Sequence, residues 1–183
     1  MPTTEPAALA LPDWARVSEA RRAHIARVVG LLRRWAAAMP LSAEETGAWL
    51  AAGLLHDALR DAPESQLRDL TGDTRRAAEL LHGPAAAARA ERDGERRRDV
   101  LDAVRYHTVG WPHWDRTGRA LYLADFLEPG RDFLAPERAA LAERVPREFD
   151  AAFRDGVRLR IQYSLSQDGE LFPETVALWN SVR

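Results

Sequence analysis

The chain contains no cysteine and no lysine. Without cysteine there can be no disulfide, no thiolate zinc site and no cysteine nucleophile, so any metal must be held by nitrogen and oxygen. The same absence fits a reducing compartment, and the expected location is the cytoplasm. Without lysine, Schiff-base chemistry and a P-loop lysine are both excluded. All 26 basic side chains are therefore arginines, a bias that codon usage alone would produce. Long apolar runs are also missing. The Ala/Leu stretch within Met1–Pro12 is too short to cross a bilayer, carries Glu5 and lacks a basic leader, so neither export nor membrane insertion is indicated. Nothing reads as alternating strands joined by hairpin turns, and no Gly-x-Ser-x-Gly elbow is present.

What is present is helical periodicity over 183 residues, 46% of them apolar, enough for one domain with one core. We expect an extension free to flex over residues 1–15 and a single all-α domain over 16–183. Ser18 can cap a helix running to about Ala38, with His24, Val28, Leu31 and Trp35 on its apolar stripe, before Met39-Pro40 stops it. Ser42 with Glu45 forms a capping-box pattern that opens a helix expected to continue through His56-Asp57 to Asp61. Pro63, Gly72, Gly83-Pro84, Gly94, Gly110 and Pro112 break the middle into short helices. A longer helix is expected over Asp115–Leu127, others from about Pro136 and Pro146, and a last one over Leu171–Val182. The charge-dense run Arg89–Asp99 reads as a solvated face or a helix junction. Its interleaved acids, and a net charge of −2, argue against nucleic-acid binding.

The chemistry gathers around the adjacent pair His56-Asp57. Neighbouring helical residues diverge by about 100°, so an imidazole and a carboxylate placed together can flank a cation, and the second carboxylate oxygen can reach another. His24, His82, His107 and Asp125 complete a set of four imidazoles and two carboxylates, sufficient for two metals. Each has a plainer alternative. His24 on an apolar stripe can be a hydrogen-bonded core histidine. His82 and His107 fall where helices are expected to end, where a charged imidazole complements the dipole. Asp125 is the sole charge in Ala120–Leu127, and burying it requires either a metal or a buried arginine. His113, between Pro112 and Trp114, stays outside the set as a loop residue.

The order His, His-Asp, His, His, Asp resembles that of the HD-domain metal-dependent phosphohydrolase superfamily. More narrowly, Leu54-Leu55-His56-Asp57, Leu80-Leu81-His82-Gly83-Pro84, Arg105-Tyr106-His107-Thr108-Val109-Gly110 and the block from Tyr122-Leu123-Ala124-Asp125 to Glu128-Pro129-Gly130-Arg131 resemble the YqeK family of symmetrical diadenosine tetraphosphate hydrolases. The similarity runs over about residues 18 to 182. It implies a helical bundle of roughly eight to ten helices around a dinuclear centre. His24, His56 and Asp125 would hold one metal, His82 and His107 the other, and Asp57 would bridge them. The implied cofactors are two divalent or mixed-valent ions, iron by expectation, with manganese, cobalt or zinc also suited to such donors.

Where the family commonly has lysine four residues after the histidine of the pair, this chain has Arg60, which keeps the charge but presents a planar fork. Arg60 is expected to act with Asp57 in catalysis and to contact substrate phosphate, its plainer role being an ion pair with Asp57 or Asp61. Thr108, Gly110 and Arg131 are further expected substrate contacts, Arg131 alternatively pairing with Glu128. The implied reaction is attack of a metal-activated hydroxide on a dinucleoside polyphosphate, giving two ADP from diadenosine tetraphosphate. Hydrolysis of another nucleotide, a mixed-valent di-iron oxygenase of the same superfamily and a non-catalytic nucleotide-sensing module are the alternatives. The sequence does not fix the oligomeric state.

Overall fold

The structure is a computed structural model and describes residues 10–183. Among these residues there are nine α-helices and no strand, as the periodicity leads one to expect. Ser18 opens α1 (Glu19–Ala38), its Oγ accepting from the Arg21 N–H at 3.3 Å. Ser42 opens α2 (Ala43–Leu55), accepting from the Glu45 N–H at 3.0 Å. Caps of this kind are each worth about 1 kcal/mol. α3 (Glu64–Thr71) ends at Gly72 in the left-handed conformation, and a 3₁₀ turn over Ala78–Leu80 leads into α4 (His82–Arg92). α5 (Arg98–Tyr106) follows. Asp115 caps α6 (Arg116–Leu127) by accepting from the Thr117 N–H at 2.9 Å. α7 (Ala135–Arg144), α8 (Phe149–Ser166) and α9 (Pro173–Val182) complete the order.

The axis of the bundle is α6. Every residue from Ala120 to Leu127 is buried, and the helix packs against α1, α2, α5, α7 and α8. A helix apolar around its whole circumference has to be central. That placement carries Asp125 into the interior. Beyond α6, the buried Arg138 holds the returning chain, its guanidinium donating to the carbonyls of Phe126 (2.8 Å), Glu128, Arg131 (2.8 Å) and Phe133 (3.1 Å). Four acceptors on one planar fork fix the loop that follows Asp125.

Two local expectations change. The helix does not run through His56-Asp57: α2 ends at Leu55, and His56 is its C-cap, still donating its N–H to Ala52 O at 3.0 Å. The chain then tightens into successive turns, Ala58 N–H to Leu55 O (3.1 Å), Arg60 N–H to Asp57 O (2.9 Å) and Ala62 N–H to Leu59 O (3.1 Å). Pro63, which offers no N–H and biases Ala62 out of the helical region, keeps these turns from rejoining a helix before α3. His82, expected to close a helix, instead starts α4, with Gly83 and Pro84 in the first turn, where a missing N–H costs nothing. The charge-dense run does form a junction, between α4 and α5, with Glu95 accepting from the Arg97 backbone N–H (2.9 Å) and guanidinium (2.6 Å).

Residues 1–9 lie outside the described residues, so the expected extension is seen only over 10–15. There Trp14 is buried in the core and donates its indole N–H to Asp93 at 2.9 Å, while the following Arg16 N–H bonds Ala58 O at 2.7 Å.

Candidate metal centre

Five elements bring the sequence-predicted ligands together: the middle of α1 (His24), the end of α2 and its turn (His56, Asp57), the start of α4 (His82), the end of α5 (His107) and α6 (Asp125). All six side chains are buried. Asp57 stands between two groups. Its Oδ2 lies 3.6 Å from His24 Nε2 and 3.6 Å from His56 Nε2, and its Oδ1 lies 3.2 Å from His82 Nε2 and 3.4 Å from His107 Nε2. The donor atoms of His24, His56 and Asp57, and those of Asp57, His82 and His107, each fall within 4.8 Å of one another. Asp125 joins from the side, its Oδ1 3.2 Å from His24 Nε2.

Whether this set suits cations is decided by where the protons sit. The Nδ1 atoms of His56, His82 and His107 face the carbonyls of Gly53, Glu79 and Val104, each at 2.8 Å and each three residues back. A carbonyl only accepts, so each Nδ1 carries the proton and each neutral ring presents a bare lone pair at Nε2. Yet His82 Nε2 and His107 Nε2 are 3.1 Å apart. Two lone pairs at that distance repel unless a ring is protonated or a cation lies against both, and burial lowers the pKa of His82 and takes that of His56 down to about 4. The donors therefore fit metal ions, with carbonyls fixing each ring as metal-binding histidines require. A cluster held by nitrogen and oxygen alone is also what a cysteine-free chain must use.

His24 is held differently. Its Nδ1 meets Glu128 Oε1 at 3.1 Å and its Nε2 meets Asp125. Burial opposes its charge, but hydrogen bonds to Asp125 and Glu128 prevail and raise its pKa to about 9. Glu128 is itself braced by the Arg27 Nε–H at 2.5 Å and the Gly130 N–H at 2.7 Å. Burial disfavours the Glu128 carboxylate, yet these partners and His24 lower its pKa to about 2. Burial likewise opposes ionisation of Asp125, but His24 with Arg131 and Arg160 outweighs it, so this carboxyl stays well below the usual carboxylate range.

The expected substrate contacts separate. The Thr108 hydroxyl lies 3.2 Å from His107 Nε2 and 3.4 Å from His82 Nε2, at the edge of the cluster. Arg131 Nη2 donates to Asp125 Oδ1 at 2.8 Å and its Nε is 3.7 Å from Glu128, so it borders the metal set. Asp125 has both a neighbouring imidazole and arginines, which joins the two alternatives its burial posed. Arg60 points instead to the rim, donating to Glu79 O at 3.4 Å, and Asp57 is paired by Arg21 at 2.7 Å. Gly110 stands apart: at φ 95° it turns the chain, and a Cβ there would come within 2.7 Å of Leu178 Cδ2. His113 packs edge-on to Trp111 at 5.1 Å, outside the cluster.

Sequence reasoning missed Arg21, Arg27, Arg138 and Arg160, and assigned Glu128 no role at His24. Arg21 sits one turn before His24 on the same helix face, a spacing signal that was available. Arg27 sits one turn after His24 at the same spacing, whereas Arg138 and Arg160 reach the site through long-range packing and leave no local pattern.

Two hollows touch the set, of about 240 Å³ beside His24 and 300 Å³ beside Asp125, and a third of about 230 Å³ lies beside Thr108. A larger one of about 730 Å³ between α1 and α7 includes none of the six ligands in its walls.

The geometry has a counterpart among known proteins: the HD domain family model matches residues 21–130, the span that supplies all six side chains. The chain belongs to the HD domain family. This HD-domain hydrolase is 27% identical over 138 residues to the symmetrical bis(5'-nucleosyl)-tetraphosphatase of Bacillus subtilis, covering 70% of this chain and 73% of that protein. It is 30% identical over 105 residues to the protein of the same name from Halalkalibacterium halodurans, covering 57% and 55%. A solved structure from Clostridium acetobutylicum, described as a predicted HD superfamily hydrolase involved in NAD metabolism, superposes with a TM-score of 0.75 at 25% identity, over 91% of this chain and 90% of that one. α7, α8 and α9 lie beyond the family match. Among the described residues no helix is long and apolar enough to cross a membrane.

Proposed function

We propose that this HD-domain hydrolase cleaves the phosphoanhydride of dinucleoside polyphosphates, converting diadenosine tetraphosphate symmetrically to two ADP in the cytoplasm. The observation that carries the reading is the division of Asp57, one oxygen toward His24 and His56 and the other toward His82 and His107, in a chain similar to symmetrical tetraphosphatases. We assign His24, His56 and Asp125 to one cation, His82 and His107 to a second, and Asp57 to both, with iron as the expected metal and manganese, cobalt or zinc compatible. When bound, such a pair supplies Lewis acidity toward a phosphoryl group and acidifies water. The chain's own residues position the reactants. Arg21 fixes Asp57, three main-chain carbonyls and Glu128 aim the imidazoles, and the Thr108 hydroxyl is placed to orient a phosphoryl oxygen or a water. Arg131 faces the substrate phosphates beside Asp125, and Arg60 adds positive charge at the rim. Gly110 contributes by shaping the loop that carries Thr108.

The test is anaerobic metal reconstitution followed by product analysis over diadenosine and diguanosine tetraphosphates, NAD and mononucleotides. ADP as the sole nucleotide product from diadenosine tetraphosphate is expected, and Asp57→Ala is expected to abolish it because both metal positions lose a ligand. Unchanged turnover after full chelation, or ATP with AMP as products, would overturn the reading. NAD belongs in the panel because it also joins two nucleosides through a phosphoanhydride and the Clostridium neighbour is described as involved in NAD metabolism. Oxygen uptake on a substrate without phosphate would favour oxygenase chemistry instead.

A further inference from the structure

We propose that the hollow between α8 and the loop after α6 seats one nucleoside of the substrate, with Tyr163 stacking on the base and Arg160 taking the adjoining phosphate. This rests on the dinucleotide reading above. The hollow, about 300 Å³, has Asp125 in its wall together with Phe133, Arg160, Tyr163, Ser164 and Gln167, so it opens directly from the candidate metal centre. Its size sits at the lower end of small-molecule sites, roughly 300 to 1,000 Å³.

Arg160 marks the phosphate end. Its guanidinium lies 4.5 Å from the Tyr122 ring centroid and its Nη2 donates to Thr108 O at 3.3 Å, which together fix the group. Its Nη1 is buried yet has no hydrogen-bond partner among the described residues, since the nearest carboxylate oxygen, Asp125 Oδ2, is 3.6 Å away. Arg131 Nε, on the other side of Asp125, is buried and without a partner in the same way. Both arginines line the hollow on either side of the Asp125 carboxylate, so a phosphate entering it meets two fixed positive charges. Tyr163 marks the other end. It stacks on Phe133 with centroids 4.1 Å apart and planes inclined by 12°. A planar base continues such a stack, and the Ser164 hydroxyl and Gln167 amide offer donors and acceptors to its edge.

Calorimetric titration of the metal-loaded protein with ADP and, separately, with inorganic pyrophosphate tests the assignment. Tyr163→Ala is expected to weaken ADP about tenfold, within the range that loss of one base–aromatic stack produces, and to leave pyrophosphate unchanged. Tyr163→Phe should bind both as the parent does, and Arg160→Gln should weaken both. If Tyr163→Ala unfolds, Tyr163→Leu preserves the apolar contact with Phe133 and is read in its place. Unaltered ADP affinity in the Tyr163 variants, or an equal loss for pyrophosphate, would overturn the proposal. The two readings fail separately. Tyr163-dependent ADP binding without hydrolysis of diadenosine tetraphosphate upholds the cleft and sinks the reaction, whereas hydrolysis with Tyr163-independent binding does the reverse.

Discussion

His82 and His107 are aimed by the main chain, whereas His24, across Asp57 from them, is aimed by the side chain of Glu128, 104 residues away. His56 sides with the first pair in this respect, although its Nε2 lies 3.4 Å from His24 Nε2. A carbonyl three residues back is an acceptor whose strength no substitution at its own position removes, and it leaves the imidazole neutral with Nε2 bare. A carboxylate relay does the opposite. It makes the ring more basic, so that a cation arriving at His24 Nε2 has to displace a proton, and it ties that position to Glu128, Arg27 and Gly130. One half of the centre is thus preset by local backbone geometry. The other half is adjustable through its supports.

The most severe test of that contrast removes a ring from each half. His82→Ala and His24→Ala should each lower bound metal from two equivalents to about one and reduce hydrolysis by on the order of 10³ or more, as happens when a member of a concerted set is lost. Metal analysis and turnover on the same preparations check this. Loss of both equivalents from either variant would mean that Asp57 cannot hold a cation with one half alone. A smaller effect is expected from Glu128→Gln, which keeps an acceptor for His24 Nδ1 but removes the charge. Metal affinity at the His24 side should fall roughly 10- to 100-fold, measured by chelator competition. The double variant with His24→Ala should lose little beyond His24→Ala alone, because Glu128 acts through that ring. Full additivity would break the comparison.

The same contrast explains what the sequence could disclose. Leu-Leu-His occurs twice, at Leu54-Leu55-His56 and Leu80-Leu81-His82, and in both places the ring folds back on the carbonyl three residues before it. Such contacts are local, so the side chains that cluster and their order are readable in the sequence, as are the Ser18 and Ser42 caps. The boundaries around them are less so. Pro63 reads as punctuation, but the turn after His56-Asp57 is also paired by the Arg16 N–H to Ala58 O, a contact between distant segments. Gly83, too, reads in the sequence only as a breaker. In the structure a Cβ there would lie 2.8 Å from Val104 O and 3.1 Å from the His107 ring, so its small size is what lets α4 and α5 bring the two imidazoles together. Arg138 and Arg160 carry no readable signal among 26 arginines, because their roles arise only when α7 and α8 close over α6, whereas Arg27 stands one turn after His24.

The smallest expected effect is also the one that separates the halves by sign. In the metal-free protein the pKa of His56 is lowered from 6.5 to about 4 by burial, so the stability it contributes is present above 6.5 and is lost as pH falls from 6.5 toward 4. That of His24 is raised from 6.5 to about 9: burial opposes the charge, but Asp125 and Glu128 hold the ring protonated, so its contribution is complete below 6.5 and is lost as pH rises through 9. Glu128, lowered from 4.5 to about 2 against the opposing effect of burial, loses its contribution as pH falls from 4.5 toward 2, overlapping only the acid end of the His56 window. Melting temperatures of the chelated protein should therefore decline on both sides of neutrality. His56→Gln should flatten the acid limb between pH 6.5 and 4, and His24→Gln the alkaline limb up to about 9. An alkaline limb that survives His24→Gln would show that the carboxylate-held ring is not protonated in the empty centre, and the distinction between a preset and an adjustable half would then rest on geometry alone.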